Sequence, residues 1–399
     1  MSIDIYNHSK QLEQTTKFLE KSKITKKNKE LIKKFQDHLL MMGISKSRVL
    51  KYTYNLKKLA VWLNKDFDKA KKEDIQNIVK EIRTKNYSVW TEHSYCIIIK
   101  RFYKWLYGND EEYPKEVSWL KNKLDKTKVK LPGDGDLLTE DEIKKVLRVT
   151  EHPRNKALIS MLFESGCRIG ELATLKIKHI IIDKQGILLT VSGKTGSRKI
   201  RIISSTPYLM NWLNIHPLKD DKEAPLWLKI DIGKKTRNSF LTHRAIAKIL
   251  KTSFENAGLK KRVYAHLFRH SRATIMANHL TEFQMNQYFG WIQGSDMPST
   301  YVHLSGRDMD NALLKFNGIE VGEAEKNDSK MKPKICPRCD TINEYDSSYC
   351  KKCTAILDEK LRIEAEEENK ARGKFDDIMG KLMKDEEFKR MVVEKLGNV

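Results

Sequence analysis

No stretch of this chain stays apolar for anything near the roughly 18 residues that a membrane-crossing helix needs, and the opening residues MSIDIYNHSK lack the apolar centre of a signal segment. Acid is in deficit as well: 53 Asp and Glu stand against 76 Lys and Arg, for a formal net charge of +23. Cysteine is scarce, with six residues in 399, and four of the six are gathered into two C-x-x-C pairs. The first two absences exclude a spanning or secreted design and predict a soluble intracellular protein with a cytoplasmic address. The missing acid predicts an extended polyanion as partner, nucleic acid before an anionic membrane surface. The missing cysteines leave no disulfide framework to carry stability. What is present suffices for real cores: 40% of residues are hydrophobic, over a length that accommodates two or three domains. Cys96 and Cys167 stand alone among apolar neighbours and read as core packing.

Residues 1–24 are polar and read as an N-terminal arm or accessory helix. Within an expected domain over 25–122, a helical period recurs four times between about 27 and 108: in Leu31, Phe35 and Leu39; in Tyr52, Leu56, Leu59 and Leu63; in Ile75, Ile78 and Ile82; and in Tyr95, Ile99, Phe102 and Leu106. Gly43, Asn64, Asn86 and Gly108 punctuate the runs, which predicts a four-helix domain with Lys46, Arg48, Lys51, Lys57 and Lys100 outside. Such a face binds DNA or is merely solvated. Residues 123–136 read as a linker; Leu124 to Leu137, if extended, would reach about 45 Å. A second domain is expected over 137–320. Its start is marked by Thr139 with Glu142 as a capping box and Leu138 with Ile143 as a hydrophobic staple. Within it, 154–176 reads as helix, HIIID, GILLTVSG and RKIRIIS as a small three-stranded antiparallel sheet, and 242–257 and 266–290 as helices. A second linker (321–335), a cysteine module (336–356) and a helical tail (357–399) follow. The tail carries apolar spacing at Phe375, Ile378, Leu382, Phe388, Met391 and Val392 and reads as an assembly helix. The fold class is mainly α (α+β).

Chemistry concentrates in four stretches. In AHLFRHSRAT, His266, Arg269 and Arg272 follow one another at three-residue spacing, so like charges stack on neighbouring faces of one helix and call for an anion. In ESGCRIGEL, Arg168 stands at a Gly-containing junction of two helices. Arginine neither gives nor takes a proton at working pH; Arg168 and Arg269 together can fork onto one phosphate and stabilise the added charge of its transition state, or each is simply a surface arginine. VSGKTGSRKIRI is not a P-loop, because position 188 is Leu where that motif needs Gly and the segment lies between strands. Lys194 at its hairpin tip reads instead as a mobile ammonium able to act as general acid, with Lys199 the competing candidate and plain solvation the alternative. In FGWIQGSDMPSTYVHLSG, Tyr301 follows Trp291 by ten residues; as a nucleophile it needs a field and a base to offset its ionisation cost. His270 reads as a packed core residue and Arg272 as a contact to a neighbouring phosphate.

Arg168 in CRIGEL, Lys194 in the hairpin, His266 and Arg269 in HLFRH, Trp291 and Tyr301 follow the order and approximate spacing of the tyrosine recombinases, the phage-type integrases, and residues 27–318 resemble that family. The resemblance implies a SAM-like core-binding domain over 25–122 and a catalytic domain over 137–320. It further implies that Arg168, His266, Arg269 and Trp291 hold the scissile phosphate, that Lys194 protonates the 5′ leaving oxygen, and that Tyr301 forms a 3′-phosphotyrosyl link without ATP or a catalytic metal. Many members carry His where this chain has Trp291 and some carry Trp; an indole donates the same hydrogen bond but transfers no proton, so the resemblance puts acid-base work more heavily on His266 and Lys194. The implied partners are double-stranded DNA at specific sites and a homotetramer in the synapse, with no membrane and no nucleotide cofactor, and a nucleoid-associated protein. A type IB-like topoisomerase and a noncatalytic DNA-binding regulator of the same fold are the alternatives. A helix over 307–320 is expected to follow the tyrosine and to dock in a neighbouring subunit or fold back.

CPRCDTINEYDSSYCKKC supplies Cys336, Cys339, Cys350 and Cys353, two knuckles ten residues apart that fit tetrahedral zinc in a ribbon, with a gap shorter than the commonest ribbon spacing. Four cysteines and no nearby histidine leave no open coordination position, so the zinc belongs to local folding and not to phosphoryl chemistry. Disulfides are the alternative. Integrases with such a ribbon look like an archaeal branch of the family.

Overall fold

The computed structural model describes residues 4–108, 112–123, 133–193, 195–229, 239–304, 317–318 and 329–396. The chain divides into two units, Met1–Gly133 and Asp134–Val399.

The first unit is helical: α1 (His8–Glu20), α2 (Lys26–Met41), α3 (Lys46–Leu63), α4 (Lys72–Thr84) and α5 (Val89–Leu106). The four periodic runs become α2–α5, and the apolar residues that set each period are buried together around Phe35 and Phe102, whose rings meet edge to face at 5.2 Å, with Leu106 half-buried at the end of the fourth run. Thr25 caps α2 and Ser88 caps α5 through their side chains. Asn28 is buried and supports the α3–α4 connection, donating to the Lys65 carbonyl and accepting from the Phe67 amide. The arm expected over 1–24 contains a helix of the same core: Leu19 of α1 is fully buried in it. Lys46, Arg48 and Lys51 are exposed on α3.

The second unit is built around α7 (Pro153–Ser165), in which Ala157, Leu158, Ile159, Met161, Leu162 and Phe163 are all buried. A helix apolar on every side belongs in a core. It is preceded by α6 (Glu140–Val149), where the capping box forms as expected, the Thr139 hydroxyl accepting from the Glu142 amide and the Glu142 carboxylate from the Thr139 amide. Gly166 then takes a left-handed conformation (φ 55°) and turns the chain into the short α8 (Ile169–Ala173). The sheet follows in the order β1 (Ile180–Asp183), β2 (Gly186–Gly193), β3 (Gly196–Ile202), antiparallel throughout, with Leu189 opposite Ile200 and Gly193 opposite Gly196 at the hairpin tip. Period-two alternation buries Ile187, Leu189, Val191, Ile200 and Ile202. The helices α9 (Thr206–Asn214), α10 (His243–Asn256), α11 (Ala265–Ala277), α12 (Glu282–Phe289) and α13 (Met297–Leu304) complete the packing.

The single helix expected over 266–290 is two. Thr281 accepts from the Gln284 amide and Gln284 answers the Thr281 amide, a second capping box that starts α12 afresh after α11 ends at Ala277. Most of the first linker and of the expected helix over 307–320 lies outside the described residues.

The cysteine module pairs β4 (Lys334–Ile335) with β5 (Ile342–Asn343) and docks on this unit, Asn211 of α9 bonding both Glu344 and Lys351. The tail forms α14 (Glu359–Leu382) and α15 (Glu386–Leu396); Phe375, Ile378, Leu382 and Met391 are exposed. No helix among the described residues is long and apolar enough to cross a membrane.

Candidate active site

The turn after α7 and the N-terminal half of α11 bring the two key guanidiniums to one segment, Phe289–Trp291. Arg269 is 2% exposed and donates to the Gly166 carbonyl at 3.0 Å and the Phe289 carbonyl at 2.7 Å. Arg168, the residue before α8, donates to the Gly290 carbonyl at 3.3 Å and to Glu171 at 2.9 Å. Burial, with repulsion from Arg168, lowers Arg269 to about 10, which still leaves it protonated at neutral pH. A third arginine, not singled out in the sequence, completes the set: Arg198 on β3 donates to the Tyr288 carbonyl and binds both oxygens of Glu171. Glu171 is thus a buried carboxylate between two guanidiniums. Burial opposes its ionisation, but Arg198 and Arg168 outweigh that penalty and hold its carboxyl below the usual range. The sequence offered a signal for it, an acid three residues after Arg168 on the same helical turn.

Tyr301 is 1% exposed, and its ring lies flat against Trp291, centroids 5.5 Å apart and planes within 5°. Trp291 stacks in turn on Phe289, and the Arg269 guanidinium sits 5.3 Å from the Trp291 ring centroid. Burial pushes the Tyr301 phenol up to about 12, against the pull of Arg269. Its hydroxyl is 2.7 Å from Nδ1 of His270. His270 lies one turn beyond His266, the two rings meeting edge to face at 4.6 Å. Burial, then His266 and Arg269, depress His270 to about 4; burial, then Arg269 and Arg168, lower His266. Both rings are therefore neutral at pH 7.

The expected residues Arg168, His266, Arg269, Trp291 and Tyr301 lie within this one cluster of elements, whereas Lys194 lies outside the described residues. Its neighbour Thr195 donates to the Gly290 carbonyl at 2.9 Å. The competitor Lys199 is exposed, and alternation along β3 turns it to the sheet face opposite Arg198. Arg272 departs from the expected phosphate contact. Its side chain turns inward toward Tyr288 and Glu164, and its Nε is buried. Glu164 itself accepts from three successive backbone amides, Ile203 to Ser205.

The four cysteines form a separate centre. Their Sγ atoms lie within 4.8 Å of one another, Cys336 to Cys353 at 3.5 Å and Cys339 to Cys350 at 3.6 Å. Those separations are too long for disulfides, near 2.05 Å, and close to the ~3.8 Å edge of a tetrahedron with 2.3 Å metal–sulfur bonds. Each knuckle closes alike: Asp340 and Thr354, directly after the second cysteine, are both left-handed and donate back to the first cysteine's carbonyl. This all-sulfur set suits one tetrahedral ion.

Residues 136–307 match the phage integrase family, and residues 32–109 match the N-terminal SAM-like domain of phage integrases. Among similar proteins, "Tyrosine recombinase XerA" of Pyrococcus horikoshii is 26% identical over 74% of this chain and 96% of its own length, and its Pyrococcus furiosus namesake is 26% identical over 73% and 95%. The "Tyrosine recombinase" of Thermosipho africanus is 23% identical, over 72% and 99%. In fold, the chain is similar to the XerH site-specific recombinase in a post-cleavage complex with palindromic difH substrate (TM-score 0.53, 19% identity, 69% of this chain and 81% of that one). It is likewise similar to the lambda integrase tetramer bound to a Holliday junction (TM-score 0.53, 15% identity, 70% and 78%).

Proposed function

The chain belongs to the phage integrase family and is a tyrosine-type site-specific recombinase, and from that premise we propose that Tyr301 cuts and rejoins duplex DNA through a 3′-phosphotyrosyl intermediate. The observation that carries the assignment is the anchoring of Arg168 and Arg269 to two successive carbonyls, Gly290 and Phe289, beside the Trp291 ring that covers Tyr301. Guanidiniums fixed in advance stabilise charge developing on a phosphate without reorganising during the reaction. Free ionisation of a phenol near 12 costs roughly 7 kcal/mol at pH 7, so Tyr301 attacks with its proton leaving in the same step. His266 and Trp291 add hydrogen bonds to the phosphate, and Lys194 supplies the proton for the 5′ leaving oxygen. The link preserves the phosphoester bond energy, so rejoining needs neither ATP nor a metal.

The lambda integrase tetramer on a Holliday junction supports a homotetramer on paired sites for this chain too; action on nucleoid DNA in the cytoplasm follows from the proposed substrate. Residues 25–122 are the proposed core-binding domain and 137–320 the catalytic one. Cys336, Cys339, Cys350 and Cys353 would hold a structural zinc, whose contribution is to fold the ribbon.

The test is capture of the covalent adduct. A pool of nicked duplexes with randomised sequence is incubated with the protein, denatured, and sequenced from the protein-bound fraction. Wild type should yield adducts sharing a site, with nucleotide on Tyr301 by mass spectrometry. Tyr301→Phe should yield none while still binding the recovered duplex; nucleotide on any other residue would refute the assignment.

A further inference from the structure

His270 was not needed by the chemistry set out above, and it makes the one hydrogen bond recorded for the Tyr301 hydroxyl among the described residues. We propose that His270 is a catalytic residue for strand cleavage: its Nδ1 receives the phenolic proton of Tyr301 as Oη bonds to phosphorus. The inference rests on the recombinase reading and adds a base to it.

The placement follows from helix geometry. His266 and His270 are four residues apart on α11, so both rings project from one face, and α13 lays Tyr301 against the second of them, not the first. His266 meets His270 edge to face, with no hydrogen bond to Tyr301 among those described. The groups acting on His270 are few. His266 and Arg269 come from its own helix, and Tyr301 comes from α13. Tyr288 of α12 donates to the Glu164 carbonyl of α7, and the Glu164 carboxylate is taken by the amides of Ile203 to Ser205. Among the described residues no carboxylate therefore acts on His270 to charge it, and a neutral ring can accept at Nδ1 with its own hydrogen on Nε2.

In the step itself the Oη–P bond forms and the P–O5′ bond breaks. The proton on Oη moves to Nδ1, and the leaving oxygen takes its proton from the acid proposed above. Before attack the phenol is a far weaker acid than imidazolium, so transfer is unfavourable. As Oη bonds to phosphorus its proton becomes strongly acidic, and an imidazole already at hydrogen-bond distance takes it without diffusion. On rejoining, the imidazolium returns the proton to Oη as the tyrosine departs. A low resting affinity for protons suits that return.

The experiment uses the nicked duplex recovered with wild-type full-length protein. His270→Asn keeps an amide near the Nδ1 position, able to accept from Tyr301 and unable to carry a proton away. Single-turnover adduct formation should slow about 100-fold or more, with duplex affinity and thermal midpoint near wild type; His270→Gln takes its place if the Asn variant fails those two controls. Installing the more acidic difluorotyrosine at position 301 should then speed the variant by about tenfold or more while changing the wild-type rate little. A variant within about threefold of wild type would overturn the proposal, and so would a slowed variant that difluorotyrosine does not speed, which would leave His270 with positioning alone. An inert wild type would instead overturn the recombinase reading, and this inference with it.

Discussion

Replacing Glu171 by Gln is the most searching perturbation of the site short of removing Tyr301, its proposed nucleophile. The carboxylate receives Arg168 through its guanidinium and its backbone amide, and Arg198 through two guanidinium nitrogens. Gln keeps the volume and one acceptor but leaves two cations around a buried neutral amide. Breaking a buried pair from one side costs about 3–5 kcal/mol; with one acceptor retained, the lower end applies. For a unit of this size that is roughly 6–12 °C in thermal midpoint. The pH dependence has a definite sign. The folded-state carboxyl sits below its ordinary value of 4.5, so its contribution is complete above that pH and is lost as pH falls through the lower folded value. Wild type and Glu171→Gln should therefore differ most at pH 6–8 and converge in acid. Differential scanning calorimetry at stepped pH reads the gap directly. A gap that is absent at neutral pH, or that widens as pH drops, would refute the claim that Glu171 is the ionised anchor of two arginines.

Gly166→Ala adds a Cβ at a left-handed φ, 2.7 Å from Cε1 of Phe289, and should destabilise the second unit by roughly 1–3 kcal/mol, read as a lower unfolding midpoint; an unchanged midpoint would mean the turn is not fixed as described. Metal analysis of purified protein should find about one zinc per chain. Chelation should raise protease sensitivity within residues 336–356 and leave the initial adduct rate intact, and a lost rate would tie the ribbon to catalysis. Duplex affinity should fall steeply with salt, by a log–log slope near 0.9 for each neutralised phosphate, and a flat titration would count against a net charge of +23 serving DNA.

How far the sequence could be read differs from residue to residue. The grouping of Arg168, Arg269 and Tyr301 was legible from residue type and motif order: a guanidinium is a fixed cation that calls for an anion, and Tyr301 follows both arginines in the order of the family the chain resembles. The capping box at Thr139 announced α6 for the same local reason, and the equivalent signal at Thr281 and Gln284 was available to divide 266–290. His270 was a different matter. Its four-residue spacing from His266 was visible, but its partner comes from α13, and local pattern does not encode which helix packs there. Arg272 shows the converse error. Three-residue spacing carried it from Arg269 to the neighbouring face, and that face meets Glu164 and Tyr288 rather than the anion.

The two guanidiniums proposed to hold the phosphate are not supported alike, and the difference bears on what the pocket is for. Arg168 has Glu171 as a counter-ion, but Arg269, the more buried, is held by carbonyl dipoles from Gly166 and Phe289. Dipoles fix its direction without cancelling its charge, and among the described residues no carboxylate bonds it. A site meant to rest empty would gain by pairing that cation. One that leaves it unpaired carries an electrostatic cost until an anion arrives, and recovers it when a phosphate enters between the two forks. Folding and binding are then linked: duplex DNA should raise the unfolding midpoint of the second unit by mass action, and Arg269→Met, which deletes the unpaired charge and keeps the volume, should lose most of that rise while costing the free protein less than burial alone would suggest.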